Sequence, residues 1–214
     1  MVSWKAVLPA RGASLGSRPR PALLEVEGEG GPRTLEVPVA VARALGSGPR
    51  EAPSQEAFEG LLARTCYEAA RARIDKLCSV RDRSVRELDE RLGREGFDEA
   101  TRAAALGRSV EVGIVDDARF AESFARGRAA LGWGRRRIED ELRRRGVDAE
   151  LIEGWPDEFL GGGEFERALE AARRRPPAKR ANAASTLRFL AGRGFPRPVA
   201  SAVARRLAEE ERGC

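Results

Sequence analysis

One short phrase recurs three times in this chain: a leucine, three residues, a glycine, and then a bulky apolar residue. The copies are Leu92-Gly-Arg-Glu-Gly96-Phe97, Leu142-Arg-Arg-Arg-Gly146-Val147 and Leu190-Ala-Gly-Arg-Gly194-Phe195, and their marker glycines Gly96, Gly146 and Gly194 are nearly evenly spaced. One helical turn earlier stand Leu88 and Ile138. The third copy has Thr186 there, with Leu187 one step along. Each copy reads as an amphipathic helix stopped by a glycine cap, with the next apolar side chain folded back onto the last turn. A single such segment cannot bury its own apolar stripe, so the repeat predicts stacked helical units.

The rest of the chain divides around these copies. Residues 1–22 are rich in Arg, Pro, Gly and Ser and read as a disordered tail. Residues 23–53 read as a small leader and linker. In it, Leu23–Glu27 and Thr34–Val37 flank Gly28-Glu-Gly-Gly-Pro32 as a β-hairpin, and a short helix runs from Pro38 to Leu45. Three helical repeats follow, over 54–115, 116–160 and 161–214, each with three helices. Ser54 and Ser84 are the expected N-caps of the first two helices of the first repeat, and Gly96-Phe97-Asp98 turns the chain into its third; Asp116-Asp117 caps the first helix of the second repeat and Asp148 opens its third. Gly154-Trp155-Pro156 interrupts the last helix of the second repeat, and Pro176-Pro177 breaks the third repeat.

Several functions are excluded by what is missing. The chain has no histidine, which rules out Ser-His-Asp and Cys-His catalysis and Cys/His zinc sites. Cys66, Cys78 and Cys214 are too widely spaced for a Cys-x-x-Cys pair and suit a reducing compartment. Gly28-Glu-Gly-Gly lacks the lysine of a nucleotide-binding loop. No apolar run approaches the length of a membrane span and the N-terminus lacks a secretory signal, so the expectation is a cytoplasmic, non-enzymatic protein without cofactor or metal. Arginine dominates the basic residues, 36 against 3 lysines. The net charge is +2 over 1–55, −1 over 56–115, −2 over 116–160 and +6 over 161–214. A basic C-terminal repeat on a balanced helical body suggests a patch for nucleic acid or an acidic partner.

The middle repeat carries a longer pattern. It runs Val115-Asp116-Asp117-Ala118-Arg119-Phe120-Ala121-Glu122-Ser123-Phe124-Ala125-Arg126-Gly127-Arg128, then Gly132-Trp133-Gly134-Arg135-Arg136-Arg137-Ile138, Glu141-Leu142 and Gly146-Val147. With Val80-Arg-Asp-Arg-Ser84, Glu87-Leu88 and the flanking copies, it resembles the RecX regulatory proteins, bacterial modulators of the RecA recombinase. Trp133 stands where tyrosine is usual in that family. The resemblance spans about residues 23–210. It implies a mainly α fold of three tandem three-helix repeats forming an elongated curved body, with a small N-terminal β-hairpin leader. It also implies a monomer that lodges along the RecA–DNA filament and dampens its ATP hydrolysis, strand exchange and co-protease activity, in recombination and the SOS response. Some members also bind DNA directly, and a stand-alone DNA-binding helical module is the alternative.

The candidate contact residues each have a plain structural reading beside the functional one. Asp116 and Asp117 read as helix caps rather than as a metal or acid–base pair. Arg128 extends the Phe120–Phe124 row and is either paired internally with an acid or turned to a partner. Trp133 is either a lid on the core or an interface anchor. Arg135, Arg136, Arg137, Arg143 and Arg144 form either a solvated face offset by Glu139, Asp140 and Glu141 or a stripe for acidic groups and phosphates. Arg173, Arg174, Arg175, Lys179 and Arg180 have fewer acidic neighbours and are the stronger candidates for electrostatic contact.

Overall fold

The computed structural model describes residues 1–10, 20–46, 50–180 and 182–212, and gives only the backbone at positions 177, 180, 211 and 212. The fold is mainly α with a small N-terminal antiparallel sheet, and divides into two compact units, Met1–Asp116 and Asp117–Cys214.

The first unit opens on a four-stranded sheet in the order β3-β2-β1-β4, comprising β1 (Val2–Val7), β2 (Ala22–Glu27), β3 (Arg33–Val37) and β4 (Arg50–Ala52). The expected hairpin is β2–β3, and α1 (Val39–Leu45) follows it. The expected disordered tail and linker are corrected here: residues 2–7 form an inner strand and 50–52 an edge strand. The physical reason lies in the period of Val2-Ser-Trp4-Lys-Ala6, whose alternate residues are buried and align Trp4 with Val26 and Ala6 with Leu24. The remainder of that expected tail, residues 11–19, lies outside the described residues.

The first helical repeat comprises α2 (Gln55–Cys78), α3 (Val85–Arg94) and α4 (Glu99–Glu111). The first two start at the caps the sequence predicts and the third at a cap found only in the structure: the Ser54, Ser84 and Asp98 side chains accept from the amides of Ala57, Glu87 and Thr101. Sheet and repeat share one core, in which the fully buried Phe58 of α2 lies 5.1 Å from the Trp4 ring. Thr65 faces inward with its hydroxyl donating to Leu61 O at 2.8 Å, which satisfies the one polar atom it brings.

Arg73 of α2 holds Glu95, at the end of α3, with bonds of 2.6 to 3.0 Å, and Arg91 adds another of 2.6 Å. Burial pushes the Glu95 carboxyl up, but the hydrogen bonds and charges of the two arginines outweigh it and hold it below its ordinary value of 4.5. A depressed carboxylate contributes stability that is present above its unfolded pKa and lost as pH falls through its folded pKa. Glu95→Gln is therefore expected to cost roughly 2 kcal/mol near pH 7, less than a fully buried pair because both side chains keep some solvent contact. The Tm gap to wild type should close as the pH is lowered below about 4, which thermal unfolding across a pH series measures.

The second unit carries the other two repeats. The second comprises α5 (Asp117–Ala130), α6 (Arg135–Arg144) and a single 3-10 turn at Ala149–Leu151. The expected third helix here is corrected: after Asp148 caps that turn, Gly154 takes a positive φ of 72° and Pro156 brings no amide, so the chain continues to Leu160 in turns. The third repeat comprises α7 (Glu164–Arg173), the short α8 (Pro177–Arg180) at the Pro-Pro break, α9 (Ala183–Gly192) and α10 (Arg197–Arg212).

The leucine–glycine phrase is the same cap in all three repeats. Phe97, Val147 and Phe195 donate their amides to Leu92, Leu142 and Leu190 O, while Gly96, Gly146 and Gly194 donate to Gly93, Arg143 and Ala191 O. This is the Schellman pattern, with each glycine in the left-handed region. The third copy keeps register more closely than its sequence implies. Thr186 is fully buried in the slot of Leu88 and Ile138, whereas Leu187 is only partly buried. The Thr186 hydroxyl oxygen accepts from Arg175 Nη1 at 3.1 Å, which makes a polar residue tolerable there.

Candidate interaction surface

In the second repeat, Phe120 of α5 is buried against Ile138 and Leu142 of α6, and Phe124 stacks on it at 6.0 Å. Arg128, one turn further, pairs with aromatic faces rather than with an acid, lying 4.9 Å from both the Phe124 and the Trp133 ring. Arg137 lies 4.0 Å from the Trp133 ring. Trp133 is therefore half-buried at the edge of the core, flanked by two guanidinium groups. Asp116 immediately precedes α5 and Asp117 is its first residue, where carboxylates offset the free amides of the first turn.

The second and third repeats are tied by backbone acceptors. Gly134 N donates to Arg193 O at 2.7 Å, and the Arg174 guanidinium to Ala130 O at 3.1 Å. Arg137 donates to Gly192 O, and Arg193 to Leu131 O. Burial pushes the Arg193 pKa down, and the nearby charges of Arg137 and Arg174 push it the same way. Gly134 allows the approach: a Cβ there would stand 2.8 Å from Gly194 C and O. Arg193 is a joint residue that the sequence reading missed; its position inside the third glycine phrase is the one signal that marks it.

The remaining arginines of α6 face outward. Arg135 pairs with Glu139 at 2.7 Å, Arg143 with Asp140 at 2.9 Å and Arg144 with Glu141 at 2.8 Å. Arg136 is 86% exposed and only 4.0 Å from Asp140. Such exposed pairs contribute at most about 1 kcal/mol, so exchanging them for a partner's anionic groups costs little.

The cluster at 173–180 does not form one patch. Arg173 pairs with Glu210 of α10 at 2.7 Å, and Arg174 with Glu170 at 2.5 Å. Arg175 turns inward, donating to Ser185 Oγ at 2.9 Å and Thr186 Oγ1 at 3.1 Å, with the Phe189 ring 4.5 Å away. Lys179 is exposed, and no ion pair to it is found among the described residues. The Arg180 side chain lies outside the described residues. A different set converges instead. Arg136 and Arg144 of α6 meet Arg197, the first residue of α10, around a cleft of about 640 Å³ in which Asp140 is the acidic lining residue. Arg197 was not among the sequence candidates; its place just after Gly194-Phe195-Pro196 is what brings it there.

Among the described residues, no group of three or more Cys, Asp or Glu side chains could hold a metal ion, and no helix is long and apolar enough to cross a membrane.

Residues 116–154, which build α5, α6 and the 3-10 turn, match the family described as RecX, second three-helix domain. The chain is 41% identical over 109 residues to Regulatory protein RecX of Mycobacterium sp. (strain JLS), covering 50% of this chain and 60% of that protein. It thus spans about 60% of the length of the mycobacterial relatives it matches. Two other relatives are covered more fully. Regulatory protein RecX of Amycolatopsis mediterranei is 34% identical over 64% of this chain and 82% of its own length. That of Halorhodospira halophila is 36% identical over 71% of this chain and 96% of its own. A crystal structure of RecX from Lactobacillus salivarius shares the fold, with TM-score 0.52 and 15% identity over 66% of this chain and 96% of that one. Another crystal structure, titled regulatory protein RecX, has TM-score 0.54 and 16% identity over 85% and 94%. Identity at this level across most of the length of the Amycolatopsis and Halorhodospira regulators, joined to the matched α5–α6 segment, means that this chain belongs to the RecX family.

Proposed function

We propose that this protein is a cytoplasmic, monomeric, non-enzymatic regulator that binds the RecA–DNA filament and lowers its ATPase, strand-exchange and co-protease activities. The observation that carries this reading is the 116–154 segment. Its residues match the RecX second three-helix domain, and it presents the outward arginines of α6 on a core closed by Phe120, Ile138 and Leu142. Those arginines sit in shallow ion pairs that a filament's acidic side chains or DNA phosphates can replace. The direct test is equilibrium binding to cognate RecA filaments assembled on single-stranded DNA. Binding to filament but not to free recombinase supports the reading; no binding to the filament sinks it.

Stand-alone DNA binding is favoured by one specific observation, the cleft where Arg136, Arg144 and Arg197 face Asp140. It predicts binding to DNA without recombinase, weakening steeply with salt. Replacing Arg136, Arg144 and Arg197 together with glutamine is expected to flatten the salt slope of DNA binding by up to about three units. Tm should fall by no more than a few degrees, since these side chains are exposed. Filament inhibition that survives this change intact would place the functional contact elsewhere.

A further inference from the structure

The cleft between α6 and the start of α10 keeps its positive charge when the arginines' own partners are counted. Arg136, Arg137, Arg144 and Arg197 line it against one carboxylate, Asp140. The ion-pair partners of those groups add Arg143, 2.9 Å from Asp140, and Glu141, 2.8 Å from Arg144. Five arginines then stand against two carboxylates, an excess of three positive charges. No acidic residue stands in the first turn of α6 or of α10 to offset it. The charge is also within reach of a ligand. The Arg136 and Arg144 side chains are 86% and 68% exposed, and Arg197 is exposed and makes no ion pair among the described residues. Gly134 N, bonded to Arg193 O at 2.7 Å, pins α6 to the turn that leads into α10. Arginines of two repeats are therefore held at one cleft before anything binds.

The lining discriminates among polyanions. Protein interfaces are anchored by large side chains seated in pockets. Here the uncharged lining is Ala191, Gly192, Gly194, Phe195 and Pro196, and Phe195 is only 4% exposed. An acidic protein surface finds no anchor. Unpaired nucleic acid is held by bases stacked on aromatic faces. The three tryptophans, one tyrosine and eight phenylalanines of the chain all lie among the described residues, and none of them is exposed. A single strand finds charge but no platform. A duplex keeps its bases stacked inside and turns a dense double row of phosphates outward, each able to accept from the forked donors of an arginine. We propose that this cleft grips the backbone of duplex DNA through its phosphates, without contact to the bases, which rests on the stand-alone DNA reading above and adds the form of DNA that is bound.

The whole chain, without recombinase, is titrated in about 0.1 M salt against a duplex of about 20 base pairs and a single strand of the same length, with binding read by fluorescence anisotropy. Single strands release fewer counterions per contact, so with three phosphates engaged the duplex is expected to bind at least about fourfold more tightly. Arg197→Gln should weaken duplex binding several-fold and lower its salt slope by about one unit, at unchanged Tm. Arg64→Gln, which removes an arginine of α2 that is also exposed and without an ion pair among the described residues, should do neither. A single strand bound as tightly as the duplex overturns the inference and leaves the DNA reading standing. Equal losses in the two variants mean diffuse attraction rather than a cleft, and overturn it too. Binding to neither DNA removes the inference and the stand-alone reading together; a filament affinity that Arg197→Gln lowers would then mark an acidic protein surface as the occupant.

Discussion

Gly194→Ala is expected to be the most damaging small substitution in the chain, costing about 3–5 kcal/mol and lowering Tm by on the order of 10 °C. Two effects add. Gly194 has φ +85°, where an L side chain is strained. A Cβ there would also stand 2.5 Å from Arg137 Cβ and 2.6 Å from Arg137 N, backbone that cannot swing aside. Gly96→Ala separates the two. It occupies the equivalent cap with φ +94°, but its nearest neighbour, Pro38, is 4.0 Å away. It should show only the conformational part, about 1–2 kcal/mol. Chemical denaturation of the two variants side by side measures the difference. Equal losses would mean that the joint between the second and third repeats is looser than the Gly134–Gly194 contact requires.

Leu142→Ala is expected to cost about 3–4 kcal/mol. Leu142 is fully buried and carries both sides of its repeat: it packs in the core with Phe120, Ala125 and Ile138, and its carbonyl accepts the amide of Val147. That core is small and lacks a third α-helix, so little else is available to collapse into the cavity. Amide hydrogen exchange should accelerate across α5 and α6 together, since both pack into the one small core that Leu142 fills. The outward arginines of α6 ride on the same residue, so filament binding should weaken in proportion to the population unfolded. Leu142→Met, which keeps the volume, should recover most of the stability.

What the sequence reveals depends on how local the cause is. Caps are local: Ser54, Ser84 and the three glycine phrases each act within a few residues, and all are readable. The sheet is not. β1 is a short alternating run, and its pairing depends on partners far along the chain, Leu23–Glu27 on one side and Arg50–Ala52 on the other. The Arg, Pro, Gly and Ser content after it outweighs that signal. Thr186 misleads for a related reason, because its inward hydroxyl is made acceptable by Arg175, which reaches it from the end of the preceding helix.

The arginines show the limit most clearly. Arg136 and Arg137 are identical neighbours in sequence, yet one is exposed and the other lies on Trp133 and donates to Gly192 O. Arg173, Arg174 and Arg175 likewise turn to α10, to the Ala130 carbonyl and to the core of their own repeat. Helical rotation of about 100° per residue separates such neighbours, and only the packing of one repeat on the next decides which face is inside. Charge counting therefore finds the basic repeat but not the residues that are free to act.

The family assignment rests on identity across most of the length of two relatives, and the proposed function on the arginines that the middle repeat presents. The most direct measurement is steady-state ATP hydrolysis by cognate RecA on single-stranded DNA, with this protein added at one copy to many recombinase subunits. We expect the rate to fall progressively after addition, at ratios far below one to one, and Leu142→Ala to blunt the effect. An unchanged rate and unchanged filament lifetime, with protein that is folded and in excess of its filament dissociation constant, would contradict a regulatory role on RecA.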